Sequence, residues 1–233
     1  MLAVPLGATE QHGPHLPLGT DTTIAVALAR RLAARSAAPV TVAPALPYGS
    51  SGEHQSFAGT VSIGRQALET VVVELVRSAT ETFDRVLLLS AHGGNAAPLA
   101  RAVARLRGEG RDVRAWSPAA AWSSASPAAS GDAHAGHVET SVMLALAPDT
   151  VAMERARAGN TAPLATLIGA MADGGVRAVS GNGVLGDPSG ASAEAGRALL
   201  EQAVGELCAF VAGWPAGFDA PAGVGAPAPG GAL

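Results

Sequence analysis

The run Arg85–Ser90, RVLLLS, constrains the fold more than any other stretch of the chain. It is apolar on both faces of an extended segment, so as a strand it must be covered from both sides, the situation of a parallel sheet flanked by helices. Leu2–Leu6 reads the same way, and Val40–Leu46 (closed by Pro47 and Gly49) and Val113–Trp116 supply two more strands. Helical patterns lie between and after them. These are Thr22–Ala34 with Asp21 at its N-cap position, Gln66–Phe83 with an apolar stripe including Leu68, Val72 and Val76, Ala96–Leu106, Glu139–Ala147 and Ala193–Val211. Pro118–Ser130 reads as a loop. Such alternation predicts an α/β fold with a mostly parallel sheet and helices on both faces. A single domain is expected over 1–218, followed by a Pro/Gly/Ala-rich tail at 219–233 with one charge, expected to be disordered.

Composition removes several functional classes. The formal net charge is -4 and all 15 basic residues are arginine, so no basic face is available for nucleic acid. The lack of lysine excludes a Walker-type phosphate loop and a Schiff-base lysine. One cysteine, Cys208, lies in an apolar helical stretch and reads as a core thiol; it excludes an intramolecular disulfide or a thiolate metal site. No apolar stretch reaches membrane-spanning length and no signal peptide is visible, so no membrane association and a cytoplasmic location are expected.

The six histidines carry the functional signal. They fall in four short polar segments: GATEQHGPHLPLGTD with His12 and His15, YGSSGEHQSFAGT with His54, SAHGGN with His92, and GDAHAGHVETS with His134 and His137. Each segment follows a predicted strand. In parallel α/β sheets ligands bind outside the carboxyl ends of the strands, so the segments are expected to converge there. Glu10 and His12, two apart on an extended segment, point to one side, and Asp21 lies at a helix start where it could bridge two metals. Mixed histidine and carboxylate ligands favour Zn2+, Mn2+ or Fe2+ over Ca2+ and Mg2+. His15 and His137, beside Pro14, Pro17 and Gly136, read equally well as structural residues, and Glu53 reads equally well as a solvated carboxylate. Gly93, Gly94 and Asn95 sit between a strand and a helix, where amides can bind an anion, although Asn95 also suits a plain N-cap.

These segments resemble the creatininase family of metal-dependent amidohydrolases. PLGATEQHGPHLPLGTD, GEHQSFAGTVSIG, SAHGGN and DAHAGHVETS occur in family order. The resemblance implies a three-layer αβα sandwich, a homo-oligomer and a centre of two divalent metal ions. Glu10 and His12 would ligate different metals, Asp21 would bridge them, His92 would complete the first site and Glu139 the second. His134 would carry protons at the reacting bond, with Glu53 the secondary candidate, while His54, Asp132, Asn95, Gly93 and Gly94 would support substrate and ligands. Asp132 is expected to orient a histidine. Creatinine amidohydrolases of the family carry glutamate at the position of Gly94, which argues against creatinine as substrate. The C-terminal half, ERARAGNTAPLATLIGAMADGGVRAVSGNGVLGDPSGASAEAGR, resembles the peptidase branch of the family that belongs to the mycofactocin system. That branch implies hydrolysis of a modified precursor peptide to release its C-terminal Val-Tyr dipeptide, with Arg155–Asn160 a candidate for reading a peptide carboxylate. The alternative is a small-molecule amidohydrolase acting on a cyclic amide or a formamide.

Overall fold

A computed structural model describes residues 1–125 and 131–215. Four strands form one parallel sheet: β1 (Leu2–Leu6), β2 (Thr41–Val42), β3 (Val86–Ser90) and β4 (Val113–Trp116), in the order β2-β1-β3-β4. The long apolar runs take the two central places, with Leu2 to Leu6 in register with Val86 to Ser90. Because side chains alternate across a strand, the central pair feeds two cores. Leu2, Val4, Leu6, Val86 and Leu88 pack against α2 (Gly64–Ala79) and α3 (Ala96–Gly108). Ala3, Leu87 and Leu89 face the other way, onto α1 (Thr20–Arg35), α5 (His137–Leu146) and α7 (Ala193–Ala212). The result is a three-layer αβα sandwich.

The elements differ from the sequence reading in four places. Only Thr41–Val42 of the second strand is regular. Pro44 has no N–H to donate, so the chain rejoins β1 through the Leu46 N–H to Pro5 O bond (3.0 Å). Helix α1 starts at Thr20 behind Gly19, so Asp21 lies within the first turn and caps nothing. Part of the supposed loop at 118–130 is helical: α4 (Ala119–Ala125) buries Ala121 and Trp122 and is tied to α7 by Trp122 Nε1–H donating to Leu199 O (3.3 Å). Residues 126–130 and the tail at 219–233 lie outside the described residues. An unforeseen helix, α6 (Leu164–Gly174), buries little besides Leu167, which packs on Val176 and Leu185, so its periodicity against a core was not readable. Cys208 is half-buried on α7 and packs against the core.

Helices α5 and α7 cross at Gly196, where an added Cβ would lie 1.8 Å from Ser141 O. Gly205, on the same helix, has open space at that position. Gly196→Ala is therefore expected to cost roughly 1–3 kcal/mol through overpacking. Gly205→Ala is expected to gain roughly 0.5–1 kcal/mol from helix propensity. Thermal denaturation of the two variants checks the opposite signs.

Candidate metal centre

The carboxyl ends of β1 and β3 deliver the first ligands. After β1 the chain stays extended through Glu10–His12 and turns at Gly13, whose φ of 63° suits glycine. It then enters α1, which brings Asp21 back beside His12. After β3 the chain presents His92 and then the short 3-10 turn Gly93–Asn95 that leads into α3. Asn95, fully buried, accepts from Ser50 N–H (2.9 Å) and donates to Gly7 O (3.1 Å), pinning the loops after β1 and β2 to the one after β3. It uses its side chain for this and makes no cap bond to α3.

Glu10, Asp21 and His92 come together, as do His12, His134 and Glu139, and Glu10, His54 and His134, with candidate donor atoms within 4.8 Å of one another in each group. His92 Nδ1 is 3.2 Å from Glu10 Oε1 and 3.5 Å from Asp21 Oδ2. His12 Nε2 is 3.3 Å from Asp21 Oδ1 and 3.8 Å from Glu139 Oε2. Asp21 thus turns one oxygen to each histidine. Glu139 is aimed by the start of α5: its Oε2 accepts from Ala135 N–H (2.6 Å), where Ala135 has φ of 52°. Asp132 accepts from Val138 N–H (2.8 Å) at the same helix start. Asp132 bonds the backbone of α5 and not the histidine ring expected from the sequence, because the helix N-terminus offers it free amides.

The electrostatics of these buried groups is a balance. Burial disfavours charge on Glu10, yet the hydrogen bond and charge of His92, with His134 and His54 nearby, hold its carboxyl well below the usual carboxylate range. Burial likewise opposes a charge on His12 and His92, but Asp21 and Glu10 respectively outweigh it and raise both to about 10. His54 is lowered to about 3 and His134 is lowered too, burial being the largest cause in each. Burial raises Asp132 to about 6.

Both oxygens of Glu10, Oδ2 of Asp21 and Nε2 of His12 are buried without a hydrogen-bond partner. Such unsatisfied atoms are costly unless a cation takes them up. The rings are also oriented for it. His12 Nδ1–H donates to Glu10 O (3.1 Å) and His92 Nε2–H donates to Ser50 O (2.9 Å), so each ring turns its other nitrogen to the carboxylates, where a divalent ion would displace the proton. The residues present fit divalent metal.

The remaining candidates surround this cluster. Glu53, 22% exposed, has Oε1 3.8 Å from His92 Nε2. A Cβ on Gly94 would lie 2.3 Å from both that Oε1 and Ser50 O, so Glu53 and the Ser50 backbone occupy the space a side chain there would need. His15 is buried against Thr140 (2.9 Å) and stays outside the three groups, as its structural reading implied. A cavity of about 350 Å³ opens beside Glu139, His134, Asp132 and Gly93, with Trp122, Val138 and Leu164 as apolar wall. Arg155–Asn160 does not line it. Arg155 pairs with Glu154 in solvent, and Arg157 donates to the Glu154 and Ala156 carbonyls. Sequence reasoning missed Leu164, whose apolar side chain gives no chemical signal, and Gln11, which was hidden between two more conspicuous residues.

An α/β sandwich with a histidine–carboxylate cluster at the carboxyl ends of its parallel strands is the architecture of a metallohydrolase. The family model described as creatininase, creatinine amidohydrolase, matches residues 1–211. The chain belongs to the creatininase family, metal-dependent hydrolases that act on C–N bonds. It is 49% identical over 225 residues to a mycofactocin precursor peptide peptidase of Mycobacterium ulcerans (strain Agy99), covering 94% of this chain and 87% of that protein. The solved structure of a Mn creatininase superposes with a TM-score of 0.71 at 27% identity, covering 92% and 91% of the two chains. A mutant creatininase of Zn-Zn type gives 0.71 at 26% identity, over 92% and 91%.

Glu10→Gln and Asp21→Asn are expected to lose bound metal, measured by elemental analysis after gel filtration, with at least about a hundredfold loss of activity. Full metal content in either variant would contradict the assignment of these side chains.

Proposed function

We propose that the chain is a metal-dependent peptidase that hydrolyses the modified mycofactocin precursor peptide and releases its C-terminal Val-Tyr-derived dipeptide. The observation that carries this reading is the 49% identity to the M. ulcerans peptidase over 94% of the chain. Gly94, hemmed in by Glu53 and Ser50, supports it against a creatinine-type site, because a glutamate cannot be placed there without displacing both.

Glu10, Asp21 and His92 would hold one divalent ion, and His12, Asp21 and Glu139 a second, with Zn2+, Fe2+ or Mn2+ suited to the donor set. Ions held there supply Lewis acidity to an amide carbonyl and to water. The chain's own residues do the rest. His134 is neutral through burial and stands at the boundary of the cluster and the cavity, placed to carry a proton to the leaving amine. Glu53 is the secondary proton carrier, at the exposed side of His92. Asp132, by holding the first turn of α5, keeps Glu139 and His134 in mutual position. Asn95 and the Gly93–Gly94 turn keep His92 in place. Trp122, Val138 and Leu164 exclude water from one wall and offer an apolar surface to a peptide side chain.

The proposal includes one catalytic domain over 1–218, assembly as a homo-oligomer and a cytoplasmic location. No helix among the described residues is long and apolar enough to cross a membrane.

Mass spectrometry of the modified precursor peptide, incubated with metal-loaded and with chelator-stripped protein, tests the reaction. Metal-dependent appearance of the C-terminal dipeptide is expected. An intact peptide at full metal content would overturn the substrate and favour a small-molecule amidohydrolase. His134→Ala is expected to keep its metal and lose roughly 10²- to 10⁴-fold in turnover. Loss of an ion from that variant would make His134 a ligand.

A further inference from the structure

We propose that Gln11, the residue between two metal-ligand candidates, is a positioning residue that sets the proton pattern of His54 and His134. Its side-chain amide leaves His54 with a ring N–H turned toward Glu10, and its main-chain carbonyl holds the Nε2 proton of His134.

The argument starts from one group whose role is unambiguous. The Gly13 backbone N–H can only donate, and it donates to Gln11 Oε1 (2.8 Å). This fixes the orientation of the amide, so Nε2, with two hydrogens and no lone pair to offer, faces the other way. Three atoms lie within reach of it: Gly183 O at 3.1 Å, His54 Nδ1 at 2.7 Å and His134 Nε2 at 3.1 Å. Gly183 O is a pure acceptor and takes one hydrogen. His134 Nε2 lies 2.7 Å from Gln11 O, another pure acceptor, and must carry its own proton to bond there. It is therefore no acceptor for the amide, and the second amide hydrogen goes to His54 Nδ1.

The consequences follow ring by ring. In a neutral imidazole one nitrogen carries the proton and the other is bare. His54, bare at Nδ1, carries its proton on Nε2, which faces Glu10 Oε1 at 3.6 Å. That N–H points toward the carboxylate from beyond hydrogen-bond length, so the nitrogen facing the centre has no lone pair to give a metal. His134 carries a proton on Nε2 and turns Nδ1 toward Glu10 Oε1 at 3.7 Å. His12 and His92 follow the His134 pattern, each with its outer nitrogen on a backbone carbonyl. His54 is the exception, because the group behind it is a donor and not an acceptor. His54 therefore adds no ligand to the grouping of Glu10, His54 and His134. The loop holding Gly183 serves this arrangement, since its carbonyl takes the amide hydrogen that would otherwise be free.

The inference takes from the proposed function only that Glu10 serves a metal centre. It is tested by nitrogen NMR of metal-free protein with ring-labelled histidines, which reads the protonated nitrogen of each ring whatever the chain hydrolyses. For wild type, His54 is expected to show a protonated Nε2 and a bare Nδ1, and His134 a protonated Nε2. Gln11→Glu puts an acceptor where the donor was, and His54 is expected to become protonated at Nδ1, with kcat lowered at least tenfold and KM little changed. His54→Ala is expected to keep the metal content of wild type. A wild-type His54 protonated at Nδ1, an unchanged His54 signature in Gln11→Glu, or loss of an ion from His54→Ala would each overturn the proposal. A chain with the expected proton pattern that leaves the precursor peptide intact would refute the substrate and leave the role of Gln11 standing.

Discussion

Asp21 is the residue on which the site depends. It is 1% exposed, yet it presents one oxygen to His12 at 3.3 Å and the other to His92 at 3.5 Å. Burying a carboxylate this way is unfavourable unless positive charge meets it on both sides. The fold arranges this by starting α1 two residues earlier than a capping aspartate would require. Asp21 then projects back under the extended Glu10–His12 segment while His92 arrives from the end of β3. Fully buried Asn95 joins Gly7, Ser50 and the His92 loop, and so ties the segments after β1, β2 and β3 to one another. Protons on His12 and His92 balance the carboxylates when metal is absent, and divalent ions would take the same place.

The sandwich explains why this cluster can be rigid. β1 and β3 are neighbours in the centre of the sheet, so Glu10 and His92 emerge side by side at one edge. Neither strand has a free edge, and each faces a core on both sides, which leaves little freedom at the points where the ligand-bearing segments begin. Helix α5, packed on α7, brings Glu139 from the other direction, and the segment ahead of it, bridged to Leu185, brings His134. Its start is braced twice, by Asp132 on Val138 N–H and by Glu139 itself on Ala135 N–H. The cavity therefore lies between a sheet-borne half and a helix-borne half of the site.

Much of this was legible in the sequence, for definite reasons. RVLLLS and LAVPL are apolar on both faces, so their central places followed from burial alone. The histidine segments fell at strand ends, so their convergence followed from topology. The edge strand was overread because Pro44 interrupts it, and α6 was missed because its one buried residue, Leu167, is surrounded by solvent-facing positions. The N-cap expected of Asp21 and the histidine partner expected of Asp132 were misread at the level of local bonds. A capping position and a second carboxylate partner look alike in a sequence, and only the partners reached in space, His12 for Asp21 and Val138 N–H for Asp132, separate them. Gln11 could not be read without coordinates, since its meaning lies in what occupies the adjoining space.

The central claim is that these segments form a centre for two ions that share Asp21. Anomalous diffraction from crystals of the metal-loaded protein tests it most directly. The account predicts two peaks, one among Glu10, Asp21 and His92 and one among His12, Asp21 and Glu139, with Asp21 between them. A single peak, or a peak coordinated by His54, would contradict it.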